Sequence, residues 1–205
     1  MKKNLEKKIA LTGEALHIED VYDVVNNGRQ IEISAASLKK IHRSRKYVEK
    51  LVSDEKVVYG ITTGFGEFSS VHIKKENAAA LQKNLITSHA AGCGDLYEHP
   101  FVKSAMLLRA NALAKGYSGI TLETLSTLVE MINHDIIPDV PVHGSVGSSG
   151  DLAPLAHIVL GMLGTGRVNY RGESMEASVA LKKAGIKKAT LSYKEGLALI
   201  NGTQM

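Results

Sequence analysis

Glycine and serine are concentrated in Gly144-Ser145-Val146-Gly147-Ser148-Ser149-Gly150-Asp151, directly ahead of an apolar stretch. Such a loop admits three uses. Glycines before a helix N-terminus suit an anion, because unpaired N–H groups and the helix dipole both favour negative charge. Against that use, the loop lacks the Gly-Lys-Ser/Thr ending of a phosphate-binding loop, and it has no dinucleotide fingerprint. Serine nucleophilicity calls for a Gly-x-Ser-x-Gly elbow, which is absent. The third use is a structural turn that feeds a buried helix.

Other polar residues carry similar double readings. Tyr59 precedes Gly60-Ile61-Thr62-Thr63-Gly64-Phe65-Gly66, a run too rich in glycine and β-branched residues for helix. A phenol acts as a base only where cations or helix dipoles favour its ionised form, and otherwise packs its ring. His89 falls near a predicted helix C-terminus, where an imidazolium complements the dipole. Asn201-Gly202 is in itself a turn signal. The histidines at 17, 42, 72, 99, 134, 143 and 157 lack metal-ligand spacing, so no metal is expected.

The elements that must position these groups are mainly helical with minor strand. Helical spacing runs from Ile18 to Asn26 and stops at Gly28. Ile31-Glu32-Ile33 reads as extended, and Ser34 as the N-cap of a helix to about Ser53. Val57 to Ile61 reads as a strand or extended segment, followed by the glycine-rich loop. Further helices are predicted from Glu76 to about Ala91, ended by Gly92, and from Phe101 to Lys115, ended by Gly116. Leu122, Leu125, Leu128, Val129 and Ile132 form the apolar stripe of the next helix, and Pro138 and Pro141 break the pattern. Leu152 to Leu163, capped by Asp151, is apolar nearly all round and should be buried, with Pro154 in its first turn. Val168 to Tyr170 and Glu173 to Met175 flank an Arg171-Gly172 turn, a helix spans about Glu176 to Lys183, and a last apolar segment starts at Lys194.

The 205 residues, 44% hydrophobic and 22% charged, are enough to bury a sizeable core. A formal charge of +4 is mild. The densest basic stretch, Lys39 to Lys46, reads as a solvated helix face without aromatic interleaving, so no nucleic-acid partner is expected. Cys93 is the sole cysteine, which excludes an internal disulfide. No apolar run approaches the ~20 residues that span a bilayer, and the first residues lack a signal-peptide core, so no membrane partner and a cytoplasmic location are expected.

Taken together, the blocks point further. Gly144 to His157, reading GSVGSSGDLAPLAH, closely resembles the signature of the aromatic amino acid ammonia-lyases. Three more blocks agree in the family's order: Tyr59 to Gly66, Asn84 to Gly92, and Asn201-Gly202-Thr203-Gln204. Arg109 to Leu113 and Lys115 to Gly119 look similar too, and the resemblance runs from about Leu11 to the end. It implies the N-terminal part of that helical fold, a single incomplete lyase region over 1–205, with the central long-helix bundle and further substrate-binding residues missing.

The resemblance also implies a prosthetic group made from the chain, 4-methylidene-imidazole-5-one, with no external cofactor. The nitrogen of Gly150 would close onto the carbonyl of Ser148, and only glycine folds so tightly. Ser149 would then lose water to leave an exocyclic methylene. The family usually has alanine where this chain has Ser148, a side chain outside the ring, so cyclisation is expected to survive. By the same resemblance Tyr59 is a catalytic residue with Ser148, Ser149 and Gly150. His89 and Asn201 bind substrate, while Asp151 and Gln204 support the site. Histidine at position 89 suits members that act on L-histidine, giving urocanate and ammonia from a homotetramer. Two alternatives stand beside this: a tyrosine or phenylalanine ammonia-lyase or aminomutase, and a non-catalytic oligomerising fragment whose tripeptide stays linear. The chain alone is expected to be inactive.

Overall fold

The computed structural model describes residues 7–63, 78–147 and 149–205. Among the described residues fifteen elements follow one another: β1 (Ile9–Leu11), α1 (Ile18–Asn26), β2 (Ile31–Ile33), α2 (Ala35–Ser53), α3 (Ala78–His89), β3 (Cys93–Leu96), α4 (His99–Ala114), α5 (Leu122–Asn133), β4 (Ile136–Pro138), β5 (Pro141–His143), α6 (Leu152–Met162), β6 (Arg167–Tyr170), β7 (Glu173–Glu176), α7 (Ala177–Ala184) and α8 (Glu195–Ile200). The chain is mainly helical with minor strand, as its patterning implies.

Local signals set many boundaries. The Ser34 hydroxyl accepts from the Ser37 amide and starts α2, and Thr121 does the same for α5 through Thr124. Gly185, at φ +71°, closes α7 in the left-handed conformation. Arg171 and Gly172, both at positive φ, form the two-residue turn that pairs Tyr170 with Glu173.

Three small sheets tie distant segments together. Strands β1 and β2 pair in parallel, β4-β6-β7 is an antiparallel sheet, and β3 pairs antiparallel with β5. The last pairing, Cys93 with His143 and Leu96 with Pro141, lays the exit of α3 beside the approach to the glycine-serine loop. Helices α4 and α5 form the centre of a continuous apolar core that includes Met106, Leu107, Leu125, Leu128 and Met131. The short α8 is not stranded, because Ala198, Leu199 and Ile200 bury themselves against α3 and α6. The buried Glu195 carboxylate anchors its start, accepting from the Thr121 amide (2.9 Å) and hydroxyl (2.8 Å) and from the Ser192 amide (2.8 Å).

Several expectations need correction. Val57 to Ile61 contains a turn rather than a strand: the Val58 carbonyl accepts from both Ile61 and Thr62 amides, and Gly60 sits at φ +68°. Helix α3 ends at His89, before Ala91, because Cys93 is drawn into β3. Its predicted start at Glu76 lies outside the described residues. Pro138 and Pro141 do not merely interrupt; they terminate β4 and begin β5, places where a missing N–H is tolerated. Arg45 leaves the solvated face of α2 and turns inward, donating to the carbonyls of Gly119 (3.2 Å) and Tyr193 (3.0 Å) and to the Ser192 hydroxyl (3.1 Å). Among the described residues no helix is long and apolar enough to cross a membrane.

Candidate active site

The glycine-serine loop ends in an unusual stretch of backbone. Ser149 has φ +59° and Gly150 φ +96°. A non-glycine residue in the left-handed region is disfavoured, so neighbouring structure must hold Ser149 there. The neighbour is the turn after α8. The Asp151 amide donates to the Gly202 carbonyl at 2.6 Å, and a Cβ on Gly150 would collide with that same oxygen. Glycine at 150 is therefore required twice, once for its torsion and once for space. Ser148 lies outside the described residues.

Directly after the tripeptide, α6 presents its N-terminus, with a positive partial charge of about half an electron. Pro154, in the first turn, removes an N–H that would have had no helical partner. The expected capping role of Asp151 is not seen. Its backbone (φ −94°, ψ 57°) is not that of an extended cap, and its side chain makes no capping bond. The carboxylate instead joins two strands of chain, accepting from the Ser145 hydroxyl (3.1 Å) and the Met205 amide (3.0 Å). It ties the start of the loop to the segment after α8.

Gln204 stands on that segment and accepts from Arg109 Nη1 at 3.4 Å. Asn201 is the exposed C-cap residue of α8, its amide bonded to the Leu197 carbonyl at 3.0 Å. The structure thus gathers Ser149, Gly150, Asp151, Gly202 and Gln204 in one assembly, with Asn201 on its rim.

His89 approaches from the other side. Gly144 and Gly92 meet so closely that a Cβ on Gly144 would stand 3.1 Å from Gly92 Cα. His157 of α6 reinforces the junction, its Nε2 accepting from the Gly92 amide at 3.1 Å. Burial lowers the pKa of His157, which keeps Nε2 free to accept. His89 itself is half-buried at the end of α3, with Nδ1 2.8 Å from the Leu85 carbonyl. A carbonyl only accepts, so Nδ1 carries a hydrogen and Nε2 of the neutral ring is left as an acceptor. Tyr59 is carried on the turn of residues 58–62 and is 61% exposed. Gly64, Phe65 and Gly66 of the same block lie outside the described residues.

Arg109 was not singled out for a role by sequence reasoning, although it is the charged residue among Met106, Ala110 and Leu113 on the buried face of α4. An arginine on an apolar helical stripe was the available signal. Among the described residues no group of His, Cys, Asp and Glu converges as metal ligands do. The groove of about 610 Å³ between α5 and residues 184–195 holds none of the expected site residues.

Comparison with known proteins identifies the family and the fold. The aromatic amino acid lyase family model matches residues 16–205. The chain is 53% identical over 199 residues to a histidine ammonia-lyase of Alkaliphilus oremlandii, covering 97% of this chain and 39% of that protein. Among solved structures, histidine ammonia-lyase from Trypanosoma cruzi superimposes with a TM-score of 0.89 at 37% identity, over 97% of this chain and 38% of that one. Ergothionase from Treponema denticola gives a TM-score of 0.92 at 32% identity, over 97% and 40%. The chain thus spans about two fifths of the length of the relatives it matches.

Proposed function

From membership of the aromatic amino acid lyase family, to which this chain belongs, we propose that the complete polypeptide eliminates ammonia from L-histidine to give urocanate. The observation that carries this reading is the bent backbone at Ser149 and Gly150 under the Gly202 carbonyl. A prosthetic ring built from Ser148, Ser149 and Gly150 fits these residues: glycine stands where no Cβ can be housed, and a β-hydroxyl stands where dehydration needs one. When formed, that ring supplies an electrophilic carbon, and no external cofactor is needed.

The chain's own side chains supply the rest. The Tyr59 side-chain oxygen takes the proton from the substrate β-carbon. Because that proton is weakly acidic, the base must be held close and away from water, and cover for Tyr59, exposed in this chain, would come from the rest of the complete protein. His89 Nε2 accepts a hydrogen bond from the N–H of the substrate imidazole, the complement of the tautomer set by the Leu85 carbonyl. The Asn201 side chain hydrogen-bonds near the reacting amine, and Gln204 supports it. The α6 N-terminus favours negative charge as it develops at the tripeptide. Asp151 keeps the loop and the segment after α8 in register.

Histidine is preferred over tyrosine or phenylalanine because position 89 offers an imidazole acceptor. The complete protein acts as a cytoplasmic homotetramer whose sites combine residues of several subunits, and residues 1–205 form a single region of it that is inactive alone. Intact mass and urocanate absorbance test the reading together. The complete protein is expected to lack the mass of two waters and to release urocanate from L-histidine, with tyrosine and phenylalanine poor substrates. An unmodified mass in a protein that still deaminates histidine would sink the proposed electrophile.

A further inference from the structure

Arg109 is only 8% exposed in α4, and burial pushes its pKa down to about 10. Burying a guanidinium is costly unless its N–H groups find acceptors. Among the described residues no carboxylate pairs with it. Its acceptors are the carbonyls of Leu199 (Nε, 3.0 Å) and Ala198 (Nη2), and the Gln204 side-chain oxygen (Nη1, 3.4 Å). The two carbonyls belong to the last turn of α8, where acceptors lack helical partners and the dipole is negative.

This fork therefore grips the chain on both sides of the turn 201–203. At its apex is Gly202, where a Cβ would overlap the Gln204 side-chain oxygen and stand 2.5 Å from Arg109 Nη1. The carbonyl of that same Gly202 receives the Asp151 amide and abuts Gly150. Arg109 is thus one residue removed from the tripeptide, linked to it through a turn with no slack.

We propose that Arg109 is a positioning residue for the self-processing of Ser148-Ser149-Gly150: by clasping the turn after α8 it sets the Gly202 carbonyl that holds Gly150 and Asp151 in place. The inference rests on the reading that the tripeptide cyclises. In that reaction the Gly150 nitrogen bonds to the Ser148 carbonyl carbon, whose oxygen leaves as water with the amide hydrogens of Gly150 and Ser149. Ser149 then loses its α-hydrogen and hydroxyl as a second water, and no oxidant is consumed. An amide nitrogen is a poor nucleophile, so closure depends on a backbone pre-bent and prevented from relaxing. The clasp supplies the fixed wall against which that bend is held.

The test uses the complete polypeptide and follows intact mass from synthesis onward in Arg109→Met, Arg109→Lys and Gln204→Ala, with circular dichroism and Tm in parallel. The parent is expected to lose the mass of two waters. Arg109→Met should slow that loss by roughly tenfold or more, the scale of missing charge-assisted hydrogen bonds. Arg109→Lys keeps a cation for the α8 carbonyls but loses the fork, and should fall between. Gln204→Ala should slow the loss less than Arg109→Met. A purely structural Arg109 would lower Tm while folded molecules still matured at the parent's rate, and that result overturns the proposal. If Arg109→Met does not fold, parent-rate maturation in both other variants overturns it. A parent that keeps its unmodified mass overturns the cyclisation reading itself, an outcome distinct from parent-rate maturation in the variants.

Discussion

Two sets of glycines in the molecule contrast with each other. Around the tripeptide, Gly92, Gly144, Gly150 and Gly202 each stand where an added Cβ would press on backbone or a fixed side chain. In the outer hairpin and the end of α7, Gly166, Gly172 and Gly185 have positive φ but nothing within 4 Å of such a Cβ. The outer set serves torsion alone. The inner set lets three segments, from α3, α6 and α8, approach more closely than side chains permit. In these two sets the same amino acid is a local device in one place and a long-range one in the other, and the close-approach role recurs at Gly116 and Gly161 elsewhere in the fold.

That contrast can be broken by substitution. Gly150→Ala should have the largest effect: the two-water loss disappears from the intact mass of the complete protein, and urocanate production falls to background. Gly144→Ala lacks the torsional penalty but forces Ala153 and Gly92 apart, and should lower stability by about 1–3 kcal/mol, the usual cost of overpacking. Denaturant titration measures it, and a change under a few tenths would mean the junction yields.

A pH series examines the same junction. The pKa of His157 is lowered by burial, so the unfolded chain binds its proton first as pH falls. Its contribution to stability is complete above the ordinary value of 6.5 and is lost as pH drops from there toward the folded value. Denaturation midpoints should fall over that window, and His157→Gln should flatten the decline. Smallest of all, Gly172→Ala at φ +87° should cost about 1 kcal/mol through torsion alone, with tripeptide maturation unchanged. Altered maturation in that variant would erase the distinction between the two sets.

Short-range information accounts for what was legible in the residue order. Ser34 caps α2 and Arg171-Gly172 turns the hairpin, because each acts on residues within three or four positions. Thr121 and Gly185 work over the same short range, but only the structure marked them as the cap of α5 and the end of α7. The burial of α6 was readable for a similar reason, since an all-round apolar helix has no exposed face to offer. The family-like blocks also marked Ser149, Gly150, His89 and Asn201 without any knowledge of their spatial relation.

Only the tertiary structure decided who meets whom. The β3–β5 pairing drew Cys93 out of the predicted helical run, and no local propensity announces a partner about fifty residues away. Arg45 and Arg109 carry the same charge pattern as surface arginines, yet both turn inward to carbonyls contributed from 74 to 148 residues away. Asp151 occupies a position suited to capping and serves instead as a tie to Ser145 and Met205. A carboxylate or guanidinium takes whichever partners packing leaves unsatisfied, and those are known only once the distant segments have docked.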